Sequence, residues 1–130
     1  MVGYKILPNL PTKINQKQSI MSKFDEAVEK YSADLKDLGV AFNAELLSAV
    51  TKGLGPSIYN QDSSMVACSD AEELARVKTN FLIGKLGLSD GPKLDEALSA
   101  VCSQYDKRFK HRAVFYYLLV EKLGKQSVYA

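Results

Sequence analysis

The 130-residue chain is 46% hydrophobic and 25% charged, with one histidine, two cysteines and a formal charge of +2. That is ordinary for one globular domain, and this size buries roughly two-thirds of the unfolded surface, enough for a core without metal or disulfide staples. Lys5, Lys13 and Lys17 stand without an acid in the first twenty residues, leaving a near-neutral body with no general attraction to nucleic acid or a membrane surface.

Residues 1–20, MVGYKILPNLPTKINQKQSI, read as a flexible basic extension. Pro8 and Pro11 remove backbone donors and restrict the residues before them, which argues against a helix. No apolar run has the length of a signal-peptide core, and without arginine the segment makes a poor transit peptide. A start at Met21-Ser22, with translation from further upstream, is the companion expectation. The domain is then 21–130.

Four Leu-Gly pairs, each with a lysine two or three residues before the glycine, punctuate that domain: Leu38-Gly39, Leu54-Gly55, Leu86-Gly87 and Leu123-Gly124. Glycine closes a helix in the left-handed conformation at little steric cost, and a lysine in the last turn suits the negative end of the dipole. Between the stops, apolar residues fall at helical spacing. Residues 22–38 form the first helix, capped by Ser22 and carrying Phe24, Val28, Tyr31, Leu35 and Leu38 on one stripe. Residues 43–53 form a second, capped by Asn43. The stretch from Leu54 to Asp70 is a long connection, with Gly55-Pro56 against a continuous helix and one helical turn at most. The third helix starts at Ser69 or Asp70, with Glu72 and Glu73 at capping-box distance, and runs to Leu86. The fourth opens at Pro92 and packs Leu94, Ala97, Leu98, Val101, Cys102 and Tyr105 inward. The fifth contains Ala113 to Val120, eight consecutive apolar or aromatic residues, far short of the roughly twenty a membrane span needs. It reads as a buried central helix. The fold class is all-α: a compact array of about five helices around this hydrophobic C-terminal one.

Recognisable chemistry is sparse. A single histidine, His111, cannot build a multi-histidine metal site, and no cofactor is expected. Cys68 and Cys102 lie in apolar contexts without a Cys-x-x-Cys spacing and are expected as buried reduced thiols. Gly84-Lys85 lacks the upstream glycine of a phosphate loop, and Glu72-Glu73 is explained by the helix dipole. Two candidates remain. In the long connection, Ser57, Tyr59 and Asn60 form a candidate functional loop, although the preferred expectation is that Ile58, Tyr59 and Met65 serve as a lid on the core. Between residues 107 and 112, Lys107, Arg108, Lys110, His111 and Arg112 occupy five of six positions at the start of the fifth helix, where cations oppose the dipole. Either an external anion or partner offsets them, or the acids of the first helix do so internally, among them Asp25, Glu26, Glu29, Asp34 and Asp37. Internal neutralisation is the preferred expectation.

SKFDEAVEKY at 22–31, TKGLGPSIYN at 51–60, MVACSD at 65–70 and KHRAVFYYLLVEKLGKQSVYA at 110–130 resemble a family of small bacterial proteins. That family is known as a domain of unknown function, number two-eight-five-three. The resemblance implies a bacterial, cytoplasmic, single-domain protein and carries over no catalytic residue. The reading that follows is a non-enzymatic binding or regulatory module acting through protein contacts, with a protein partner or a second copy and no membrane. An anion or nucleic-acid binder using 107–112 is the alternative, and an enzyme without a recognisable signature comes third.

Overall fold

Each of the four Leu-Gly stops does what its residues dictate: Gly39, Gly55, Gly87 and Gly124 all have φ between 65° and 74°. They divide a chain that the computed structural model describes over residues 22–60 and 63–129. The expectations for residues 1–20 lie outside the described residues. Helix α1 spans Lys23–Asp37 and α2 spans Ala44–Leu54. A 3-10 turn, Gly55–Tyr59, follows, then α3 over Ala71–Arg76, continuing as a π-helix over Val77–Lys85. Helices α4, Pro92–Gln104, and α5, Arg112–Leu123, complete the array, with a last 3-10 turn at Gln126–Tyr129.

The caps are the expected ones. Ser22 accepts from the Asp25 N–H, Asn43 from Glu45 and Leu46, and Asp70, rather than Ser69, from Glu72 and Glu73. The third helix departs from expectation by widening at Val77. After Gly87 the closing bond runs from Leu88 N to Leu82 O, whereas after Gly39 and Gly124 it spans one residue fewer, Val40 to Leu35 and Lys125 to Val120. Gly84 accommodates the wide turn: a Cβ there would sit 3.3 Å from the Thr79 carbonyl.

Helix α5 is the axis of the core. All eight residues from Ala113 to Val120 are buried, and α1, α2 and α4 pack on it. Its polar atoms are paired within the array: the Tyr117 hydroxyl accepts from Asn43 N at 2.8 Å and donates to Glu121 Oε2 at 2.8 Å. Phe81 of the π-helix stacks on Tyr116 with ring centroids 3.8 Å apart. Among the described residues the sole extended pairing is one antiparallel bridge, Met65 with His111. It brings the connection before α3 alongside the loop before α5.

The cysteines require a correction. Cys68 and Cys102 are not free thiols: they are joined in a disulfide, with Cα atoms 6.0 Å apart. Their apolar contexts led to the opposite expectation because the pairing is tertiary. The last turn of α4 lies beside the loop that precedes α3, across 34 residues of sequence.

Candidate functional site

The loop from 105 to 111 is fixed at its two ends. Tyr105, fully buried, donates its hydroxyl proton to Asp34 Oδ2 on α1 and accepts from His111 N at 2.9 Å. Burial, reinforced by the bond to the Asp34 carboxylate, raises its pKa far above the ordinary phenol value. Lys107 reaches the same helix, with Nζ 2.9 Å from both Asp34 Oδ1 and Asp37 Oδ2, and those hydrogen bonds hold its proton more tightly than usual. Lys110 donates to the Lys107 carbonyl at 2.7 Å, folding the loop on itself.

Arg112, the first residue of α5, is the most heavily bonded of the five. It donates to Ser63 O at 2.7 Å, Met65 O at 3.0 Å, the Tyr116 hydroxyl at 3.1 Å and Glu73 Oε1. At Glu73, burial works against the charged form. Hydrogen bonds from Arg76 and Arg112 outweigh it and hold the carboxyl below its ordinary pKa. Neutralisation is therefore internal for Lys107 and Arg112, as preferred from the sequence, but from two helices. Asp34 and Asp37 serve Lys107, Glu73 serves Arg112, and among the described residues Asp25, Glu26 and Glu29 pair with none of the cluster.

His111 caps α5 through its backbone carbonyl, which accepts from Phe115 N at 2.9 Å. Its half-buried ring lies 5.1 Å from the Tyr31 ring, with Nε2 4.0 Å from Asp34 Oδ2. Burial lowers its pKa more than the Asp34 carboxylate raises it. Arg108 differs from the rest: its guanidinium lies 5.5 Å from the centre of the Phe109 ring, and among the described residues no carboxylate pairs with it or with Lys110. Phe109 itself is 59% exposed.

Two open clefts flank this loop. The larger, about 850 Å³, has Met65 to Asp70 on one wall and Arg108, Phe109 and Lys110 on the other. The smaller, about 430 Å³, is bordered by Tyr31, Ile58, Tyr59, Met65 and His111, with Lys30 at its edge. Met65 belongs to both, so the bridge between Met65 and His111 separates two halves of one face.

The second candidate loop divides. Ser57 and Asn60 hold a turn together: Ser57 Oγ donates to Leu54 O at 2.8 Å, the Ser57 carbonyl accepts from Ser63 Oγ at 2.9 Å, and Asn60 Oδ1 accepts from Ser63 N. Ile58 is buried as a lid would be, but Tyr59 is 50% exposed and borders the smaller cleft. Sequence reasoning missed Phe109, the sixth residue of 107–112 and the one outside the basic set, and took Glu73 only as a helix-start acid. The signal for Phe109 was its size in a polar loop with no periodic partner.

Fold and face together describe a small all-α protein with aromatic and charged side chains around two open clefts. Among the described residues no three metal-ligating side chains gather, and no helix is long and apolar enough to cross a membrane. The chain belongs to the family described as "Protein of unknown function (DUF2853)", which matches residues 30–127. No curated protein matches it.

Proposed function

We propose that the protein is a non-enzymatic docking module that binds a partner protein through the face spanning Tyr59, Met65 and Phe109. One observation carries this reading. The two large apolar side chains exposed among the described residues, Tyr59 and Phe109, border clefts that meet at Met65. Aromatic side chains and arginine are enriched at the core of protein interfaces, the aromatic ones because they bury large area with few rotors lost. Arg108 and Lys110 add two cations that no carboxylate among the described residues pairs, while Lys107 and Arg112 are already paired. The occupant this favours is a short acidic segment bearing an aromatic or aliphatic side chain.

The pairing of Lys107 and Arg112 weakens the anion or nucleic-acid reading, since among the described residues a polyanion would find two lysine or arginine cations where the sequence offers four beside His111. Both readings meet in one test: selection from a displayed random-peptide library, beside retention on a polyphosphate column. Docking predicts enrichment of acidic peptides with an apolar residue, whose affinity falls in Phe109→Ala by about 2 kcal/mol or more, the level that marks a hot spot. Salt-sensitive polyphosphate retention that ignores Phe109→Ala but disappears in Arg108→Ala would replace docking by anion binding.

A further inference from the structure

The wall of the larger cleft formed by residues 66–70 is held in an unusual way. Helix α3, which continues that wall, buries none of its own side chains, and its closest packing is against its own continuation into the π-helix. Val66 is buried in the core and Cys68 and Leu74 pack partly against it, and among the described residues three specific bonds add to these contacts. Val66 N donates to Lys110 O at 2.8 Å, Glu73 pairs with Arg112, and Cys68 is linked to Cys102 on α4. The first two lie on the α5 side, and the disulfide alone fastens the segment to α4 covalently. Beyond Val66 no side chain from 67 to 76 is fully buried, which puts this stretch toward the low end of local stability and makes its position depend on such links.

The bond is also approachable. Both cysteines are half-buried and line a separate cleft of about 380 Å³ whose other walls include the small side chains Ala71, Ala75 and Ser99. Cys68 lines the larger cleft as well, so one residue joins the cross-link to the proposed docking face.

We infer that the Cys68–Cys102 bond is a thiol-responsive latch that sets the shape of this face, an inference that rests on the docking reading for its consequence but not for its chemistry. The reductant is a dithiol. One of its thiolates attacks a cysteine sulfur, forming a mixed disulfide and expelling the other cysteine as a thiolate. The second thiol of the reductant then displaces the first cysteine. Two electrons pass to the protein, both cysteines take up protons, and the reductant leaves as its own disulfide. The released 66–76 segment swings on its α5-side bonds, and the wall opposite Phe109 loses its fixed position. Exchange with a disulfide-bearing partner reverses the step.

The test uses the full chain, oxidised and after dithiothreitol without denaturant. Alkylation followed by intact-mass measurement reads the bond, hydrogen exchange reads the segment, and the library-selected peptide reads the face. The latch predicts alkylation of both cysteines under native conditions, loss of amide protection over 66–76 with 113–120 still protected, and a changed peptide affinity that oxidation restores. A bond that yields only after denaturation would overturn it. So would protection over 66–76 that survives reduction, or protection lost equally from 113–120. Cys102→Ser should behave as the reduced chain does, and one that keeps 66–76 protected speaks against the latch. Should the oxidised protein select no Phe109-dependent peptide, the docking reading falls, while mass and exchange still decide the chemistry of the latch.

Discussion

Helices α5 and α3 each carry a basic residue in the last turn but are held by different physics. Helix α5 has eight consecutive buried residues and three helices packed around it. Helix α3 has six residues, none buried, and is positioned by an N-cap, an ion pair and a disulfide next to its start. Apolar burial is non-directional and spread over many contacts, so the central helix tolerates the loss of any one polar bond. Discrete links are directional and few, so α3 responds to single chemical events. The proposed docking face rests in part on the second kind of region, so a change there need not unfold the first.

The largest expected effect sharpens this contrast by making one substitution in both regions. Leu119→Ala on α5 removes a fully buried side chain and should cost about 2–5 kcal/mol, from lost transfer energy and the cavity left behind. Leu74→Ala on α3, where the side chain is half-exposed, should cost about 1 kcal/mol, typical of a point substitution without a core cavity. Urea titrations of the two variants check this. Equal losses would break the comparison, because α3 would then belong to the same cooperative core.

Arg112→Lys comes next, and it probes the links rather than the core. Lysine keeps the charge toward Glu73 but cannot present the planar fork that serves Ser63 O, Met65 O and the Tyr116 hydroxyl together. Half-buried carbonyls would lose their donors, at about 1.5–3 kcal/mol for hydrogen bonds from a charged group. Amide exchange should quicken around residues 63–66 before it does so in α5. A variant as stable as the parent would mean that water replaces the guanidinium at no cost.

These links also explain which parts of the molecule were legible in the sequence. Helix ends rest on residues within a few positions of one another, so Ser22, Asn43, Asp70 and the four glycines could be read directly. Burial of α5 followed from a run that has no polar face. The face depends on pairings between distant segments: Arg112 with Glu73 across 39 residues, Cys68 with Cys102 across 34, and Lys107 with Asp34 across 73. No local pattern encodes such distances. The basic cluster was visible as composition, yet its division into Lys107 and Arg112, paired with carboxylates, and Arg108 and Lys110, without one among the described residues, arises only when α1 and α3 flank it. The widening into a π-helix at Val77 was equally hidden, since its apolar spacing fits an α-helix.

The smallest expected effect separates the two kinds of link by pH. His111 is held below the ordinary histidine pKa of 6.5, because its half-buried ring is poorly solvated and the Asp34 carboxylate compensates only in part. The charged groups that face it are Asp34, Lys30 and Lys107, the two lysines disfavouring its protonation. Well above 6.5 the ring is neutral whether the chain is folded or not, and the contribution is fully present. As pH falls through 6.5 the unfolded chain takes up a proton first, so stability declines until the folded protein also protonates. The Glu73 carboxyl is depressed too, so its contribution is present above the ordinary carboxylate range and lost only at still lower pH. Two windows follow: the histidine one first on acidification, then the carboxylate one. Chemical denaturation measured from pH 7.5 downward should show the early decline, and His111→Gln should remove it while leaving the later one. An early decline that persists in His111→Gln would assign it to another group and leave the loop before α5 indifferent to its histidine.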